Sequence, residues 1–368
     1  MTDEELLLAD DEGILEDPPL ETPEGPVFAP RPVHEMTVPG VRNQVYGRLD
    51  HYLVASFPGH SRSAFKEAID QNLALVNGKP VKASYKVRAG DAISVTLPVT
   101  PHLLPQPENI PLEIILEDEY LAVVNKPANM VVHPAKGNWS GTLVNALRYH
   151  FQHLSGINGD YRPGIVHRLD RDTTGVILIA KQERAHRILG MQFEERKVYK
   201  EYHALCQGVL ERDSDYVEKP IGHDVRDRTR MAVFHEVDEA RDIKPACTFY
   251  EVIERYQGYC YVKAYPKTGR THQIRVHLGH LGCPILADKA YSGQSQLLLS
   301  HLNPAIGPDQ DEILLTRQAL HAHKLRFQHP IHGHWVEVVA PLPPEMLRTR
   351  EMLQLHRTFS KNNKRAVR

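Results

Sequence analysis

Five prolines, at 98, 101, 105, 107 and 111, fall within the stretch "LPVTPHLLPQPENIPLEI". Proline has no backbone N–H and fixes its own φ, so neither a helix nor a central strand can run through this spacing. Residues 98–111 therefore read as a stiff extended linker, and the 368-residue chain reads as two folding bodies, one on each side of it. Ahead of both, residues 1–40 combine acidic runs with seven prolines and offer too little apolar surface to offset the entropy of ordering, which makes them a disordered acidic leader.

The first body spans residues 46–97. In "GRLDHYLVASFP" Leu49 and Leu53 stand at helical spacing, as do Phe65 and Ile69 in "SRSAFKEAIDQN", where Arg62 and Lys66 fall on another face. Asn77-Gly78 between two β-prone runs is a strong hairpin signal, and "AGDAISVTLP" supplies a further strand. The result is a small ααβ module without paired acid and base groups.

The second body, residues 112–345, holds the strand signals "YLAVVN", "GVILIAK", "YKEYHALCQG", "ACTFYEVIERY", "YCYVKAYP" and "WVEVVAPLP", with few helices among them. Strands that follow one another without βαβ alternation predict an α+β fold with a mainly antiparallel mixed sheet. The stretch 292–312, "SGQSQLLLSHLNPAIGPDQDE", reads as a surface insertion, and residues 346–368 as a basic tail, a solvated face of arginines and lysines.

Charge is unevenly placed. Residues 1–25 contain ten acidic residues and no lysine or arginine, which leaves 36 acidic against 44 basic residues in the remainder. A positive body suits a polyanionic partner. Cys206, Cys247, Cys260 and Cys283 are widely separated, so neither a disulfide framework nor a zinc ribbon is indicated. There is no signal-like start and no run of 18 apolar residues, and the expectation is a cytoplasmic protein with no membrane partner.

Two stretches bear on chemistry. In "HRLDRDTTG" (167–175), Asp172 and Gly175 occupy the first and fourth positions of an apparent turn, which would commit Asp172 to its own backbone and leave Asp170, between Arg168 and Arg171, free. In "TGRTHQIRVHLGHLGCPI", Arg275 adjoins the apolar stripe Ile274, Leu278 and Leu281, so its guanidinium sits at the core boundary and needs a carboxylate. Asp170 is the candidate, in the bidentate geometry that suits arginine. In "RKVYKEYHAL", alternation places Val198, Lys200, Tyr202 and Ala204 on one strand face, where Tyr202 can stack on a base.

Taken in order, "NKPANMVVHP", "GIVHRLDRDTTGVILIAK", "KEYHAL", "TGRTHQIRVHL" and "QALHAHKLRFQHP" resemble the RluA/RluD family of pseudouridine synthases over about residues 112–345, and residues 46–97 resemble the S4 RNA-binding module that precedes the catalytic domain in many members. The resemblance implies isomerisation of uridine to pseudouridine, mainly in large-subunit ribosomal RNA. It makes Asp170 the catalytic nucleophile, Arg275 its partner and Tyr202 the residue against the target base. Whether Asp170 would bond the sugar or assist proton removal stays open. Thr174 replaces a frequent Ser, and Ala287 in "ILADKAY" replaces the usual Gly.

Because the reaction breaks the N1–C1′ bond of a uridine and rejoins the same base through C5, it needs no cofactor and no metal. The target nucleotide has to be everted into a pocket. Lys126, Arg168 and Arg270 are candidate phosphate contacts, and Arg62, Lys66, Lys79 and Lys82 would let the S4-like module hold structured RNA. A monomer suffices. Three other readings compete: the same chemistry on transfer RNA, a non-catalytic S4-type RNA binder, and a zinc enzyme built on the groups His321/His323, His329/His332/His334 and His272/His277/His280 among the 22 histidines. None of those groups has an HExxH or Cys/His ligand pattern.

Overall fold

The computed structural model describes residues 33–41, 44–57, 62–96, 105–134, 138–159 and 161–359. The chain divides into two units, Met1–His102 and Leu103–Arg368. The called leader through residue 32, the linker over 98–104 and the end of the tail from 360 lie outside the described residues.

The first unit runs β1 (Val33–Thr37), β2 (Val45–Arg48), α1 (Leu49–Ser56), α2 (Arg62–Asp70), β3 (Ala74–Val76), β4 (Lys79–Pro80), β5 (Lys86–Arg88) and β6 (Ala92–Thr96). Its main sheet has the order β1-β6-β3-β4, and β2 pairs with β5. Leu49 and Leu53 from α1 and Phe65 and Ile69 from α2 close on Val76, Val87, Ile93 and Val95, the packing that the i, i+4 spacing foretold. Asn77 and Gly78 both take positive φ, as the tight turn between β3 and β4 requires. One boundary moves: Val33–Thr37, read from sequence as the end of the leader, is an antiparallel strand on β6, and Val38 is buried behind it. No proline falls between Pro32 and Pro39, and "VHEMT" is free to pair.

The second unit begins with β7 (Glu113–Glu117), β8 (Leu121–Lys126), α3 (Leu143–His150), β9 (Thr174–Ala180), α4 (Glu183–Glu194) and β10 (Tyr199–Gln207). There follow β11 (Ser214–Glu218), β12 (Ile221–His223), β13 (Met231–Val233), β14 (Cys247–Tyr256), β15 (Tyr259–Pro266) and α5 (Gln273–His280). The last elements are β16 (Leu297–Leu298), α6 (Leu299–Leu302), β17 (Ile313–Leu315), β18 (Leu320–Gln328), β19 (Trp335–Val339) and α7 (Pro344–Arg357). A nine-stranded sheet with the order β11-β14-β15-β10-β18-β9-β8-β7 spans the unit, and β19 pairs with β18. Its pairs are antiparallel except β18 with β9, where His321 and Ala322 run alongside Thr174 and Gly175. The α+β reading with a mainly antiparallel sheet therefore holds.

Three peripheral readings are corrected. Residues 105–111, assigned to the linker, are docked: Pro105 is buried, Ile110 packs on the core beneath α3, and the Asn145 side-chain amide donates to the Gln106 carbonyl at 2.9 Å. The apparent insertion 292–312 contributes Leu297, Leu299 and Leu302 to the main core, because its apolar "LLL" is covered by α7. That helix is the called basic tail. Met346, Met352 and Leu353 are in the core, while Arg350 and Arg348 pair with Glu254 and Glu312. Arg348 and Arg350 are thus matched by acids of the same unit and Arg357 donates to the His301 carbonyl at 2.8 Å, so up to residue 359 this is a packed helix and not a free cationic face.

Candidate active site

The sheet's one parallel contact sets the site. Gly175 has φ +112°, and a Cβ there would collide with the Ala322 carbonyl, so only glycine lets β9 approach β18 this closely. The loop entering β9 is clamped on several sides. Lys126, fully buried at the end of β8, donates from Nζ to the carbonyls of Pro127 (2.7 Å), Met130 (2.9 Å) and Arg171 (2.9 Å). Arg317 donates to the Asp172 carbonyl at 3.0 Å, Gln318 to the Thr173 hydroxyl at 2.7 Å, and Thr173 N–H to the Asp170 carbonyl at 3.2 Å. The turn is thus Asp170–Thr173, not Asp172–Gly175 as the sequence suggested. Asp172 is third in it and pairs with exposed Arg171, while Gly175 belongs to the strand.

Asp170, held on that turn, presents its carboxylate to α5. Arg275 NH1 donates to Asp170 Oδ2 at 2.9 Å, as expected, but the bidentate fork goes elsewhere: Nε and NH2 bind Asp288 at 2.7 and 2.9 Å. Asp288 is 1% exposed and was not foreseen. Burial opposes the Arg275 charge, but Asp288 and Asp170 outweigh it and hold the guanidinium above its usual range. Tyr291 lies against the same guanidinium, with Arg275 Cζ 5.1 Å from its ring centroid. The Tyr291 hydroxyl meets His272 Nδ1 at 3.0 Å, and His272 Nε2 is 4.0 Å from Asp170. His272 adopts φ +55° at the start of α5, an uncommon conformation for a residue with a Cβ.

Asp170, Tyr202 and Arg275 line one cleft of about 450 Å³, together with Arg168, Arg270, His272, Lys200 and Leu320. Burial, and then the Asp170 charge, hold the Tyr202 phenol well above its ordinary range, so it stands as a neutral hydroxyl. Cationic side chains predominate around the mouth. The arrangement offers one partly exposed carboxylate, a neutral phenol and a ring of positive charge in a concave site, which is the equipment for handling an anionic polymer carrying a planar base.

Comparison with known proteins places this geometry. The family model for RNA pseudouridylate synthase matches residues 120–280, and the S4 domain model matches residues 47–93. The chain is 39% identical to the uncharacterized RNA pseudouridine synthase YlyB of Bacillus subtilis, over 88% of this chain and 99% of that protein. It is 43% identical to an RNA pseudouridine synthase of Aquifex aeolicus, over 78% of this chain and 88% of that one. With the ribosomal large subunit pseudouridine synthase D of Pasteurella multocida it shares 40% identity, over 85% of this chain and 94% of the relative. This chain belongs to the RNA pseudouridine synthase family.

In this synthase the remaining sequence-named residues separate. Arg168 and Arg270 line the cleft, and Arg270 also donates from Nε to the Pro245 carbonyl at 3.1 Å. Lys126 does not reach it: its ammonium is enclosed by the three carbonyls that brace the Asp170 turn, and the reading as a phosphate contact is withdrawn. In the S4 unit, Lys66 is exposed, whereas Arg62 pairs with buried Asp50 at 2.8 Å alongside Arg48 at 2.9 Å. Sequence reasoning missed Asp288, His272 and Tyr291. A signal was present in "ILADKAY": Ala287, where glycine is usual, takes φ +54°, so the departure adjoins the residue that anchors Arg275.

Of the histidine groups weighed as metal ligands, His329, His332 and His334 stack with ring centroids 4.5 to 6.0 Å apart and His321 lies 6.0 Å from His323, but neither set gathers its ring nitrogens into a ligand cluster among the described residues. The described residues instead gather Glu201, His203 and His323. That group is wired by its own bonds, with His203 between Glu201 (3.0 Å) and the Tyr261 hydroxyl (2.5 Å) and Lys263 at 3.6 Å from Glu201. Pairing of Tyr202 with Ala264 and of His203 with Lys263 puts it on the sheet face away from Tyr202.

Proposed function

We propose that this synthase isomerises uridines of large-subunit ribosomal RNA, with Asp170 as the catalytic carboxylate, Arg275 as its electrostatic partner and Tyr202 against the everted base. The observation that carries the reading is the single hydrogen bond of 2.9 Å from Arg275 to Asp170 at the cleft, because it holds one carboxylate oriented and leaves its other oxygen for the nucleotide. The bidentate grip of Asp288 fixes the guanidinium, so Asp170 meets a preorganised charge. Tyr202 supplies an aromatic surface and a neutral hydroxyl close to that anion.

The products balance without another reactant: the N1–C1′ bond breaks, the freed uracil turns, C5 bonds to C1′, and the C5 proton leaves to solvent while N1 gains one. Extruding the nucleotide costs about a few kcal/mol, which loop or single-stranded RNA reduces. Arg168 and Arg270 are positioned to meet phosphates, and the S4 unit offers Lys66, Lys79 and Lys82 to structured RNA. The ribosomal substrate is supported by the printed name of the Pasteurella relative and by the S4 match. We place the enzyme in the cytoplasm, acting as a monomer, with Asp170, Tyr202 and Arg275 of a single chain lining one cleft. Among the described residues no helix is long and apolar enough to cross a membrane.

Mapping pseudouridines in cellular RNA with and without the gene tests the assignment. The expected result is the loss of discrete sites in large-subunit ribosomal RNA. Loss confined to transfer RNA would move the substrate, and no loss, joined to no tritium release from 5-tritiated uridine in RNA, would leave a non-catalytic RNA binder.

A further inference from the structure

The buried and half-buried cations that brace the Asp170 turn and the neighbouring strands are matched: Arg275 by two aspartates, Lys126 by three carbonyls, Arg317 by Glu345 and Lys181 by Glu117. Lys200 is not. It is half-buried in β10, two residues before Tyr202, and lines the same cleft, yet among the described residues its ammonium makes no hydrogen bond and no ion pair. Burial, then Arg196 and Lys267, push that ammonium down to about 8, so its charged neighbours add to the strain.

Arg196 and Lys267 also line the cleft, are exposed, and likewise have no ion pair among the described residues. Arg196 holds φ +59° as the left-handed residue that closes α4, its N–H on the Phe193 carbonyl and the Lys197 N–H on the Gln192 carbonyl, so the helix end fixes its place at the rim. The adjoining wall is apolar and neutral: Phe193 stacks on His167 with centroids 4.6 Å apart, and burial holds His167 down at about 3 while its Nε2 accepts the Leu178 N–H. The acid on this side, Glu194, is exposed at the rim. A half-buried ammonium against a low-dielectric wall, with two further cations acting on it, is costly unless an anion completes it. A lysine kept for structure would be caged by carbonyls, as Lys126 is.

We propose that this arm of the cleft, with Lys200 at its floor and Arg196 and Lys267 at its rim, is a subsite for a phosphodiester of the RNA strand next to the everted uridine. The inference rests on the reading of Asp170 as facing that uridine. A phosphate oxygen at the Lys200 ammonium restores the charge that burial disfavours, and it positions the ribose through the backbone without reading the base. Lys200 is then a substrate-binding residue that orients the nucleotide for Asp170.

The test uses the full chain as wild type, Lys200→Met and Lys200→Arg, with a single-stranded dodecamer of uridine, in which every register presents a uridine flanked by phosphodiesters. The dissociation constant is measured against KCl concentration, and melting temperature is recorded for each protein. Lys200→Met is expected to bind about tenfold more weakly at 0.1 M KCl and to lose about 0.7 from the slope of log affinity against log salt, the signature of one lost single-strand phosphate contact. Its melting temperature should not fall, because an unmatched cation has been removed, and Lys200→Arg should keep the wild-type slope. An unchanged slope in Lys200→Met, or a lowered melting temperature accompanying any loss of affinity at unchanged slope, overturns the proposal. A wild type that binds the oligonucleotide but releases no tritium from 5-tritiated uridine fails the catalytic reading instead, and leaves the slope comparison intact.

Discussion

Arg275 serves two aspartates that differ in exposure, and that difference assigns their duties. Asp288, 1% exposed, takes two of the guanidinium's nitrogens and anchors it, whereas Asp170, with 20% of its side chain exposed, takes one and keeps an oxygen for the cleft. Arg275→Met should therefore strand a buried carboxylate. A loss of about 3 to 5 kcal/mol in unfolding free energy is expected by denaturant titration, together with loss of tritium release. Arg275→Lys should recover part of the stability and little of the rate, since an ammonium cannot reproduce the fork. Unchanged melting and rate in Arg275→Met would refute the pairing. The Asp170–Arg275 contact was legible because an arginine beside an apolar stripe demands an acid. Asp288 was not legible, since nothing in a linear chain apportions one guanidinium between two partners. Lys126 was misread for a related reason: its cage of carbonyls includes Arg171, 45 residues away, and composition cannot tell a caged lysine from a solvated one.

At the scale of elements, the strands announced themselves through alternation and apolar runs, and the helices of the S4 unit through i, i+4 pairs. What stayed hidden was the pairing that brings β9 beside β18, a parallel contact between residues 147 apart. It matters to the chemistry because the Asp170 turn leads directly into β9. Gly175→Ala should force β9 away from the Ala322 carbonyl and place a side chain at φ +112°. The backbone conformation alone costs about 1 to 3 kcal/mol. A lowered melting temperature, with a reduced single-turnover rate at temperatures where the variant is still folded, is expected. Wild-type values for both would mean that the junction does not position the turn. The last helix was misjudged because its arginines drew attention from Met346, Met352 and Leu353, which enter the core, while Arg348 and Arg350 find acids and Arg357 a carbonyl on the same unit.

Over the whole molecule, the proline run marked a division that the structure places at His102 and Leu103, and the excess of positive charge outside the first 25 residues anticipated an RNA-handling body. RNA affinity in this account is spread over many cations, in the cleft and in the S4 unit, whereas the isomerisation depends on one carboxylate. Binding and chemistry should thus separate under a single isosteric change. The most direct measurement is tritium release from 5-tritiated uridine in RNA by purified Asp170→Asn, run beside its RNA dissociation constant and melting temperature. The account expects affinity within about threefold of wild type, a folded protein and no detectable release. Turnover by Asp170→Asn at the wild-type rate would contradict it.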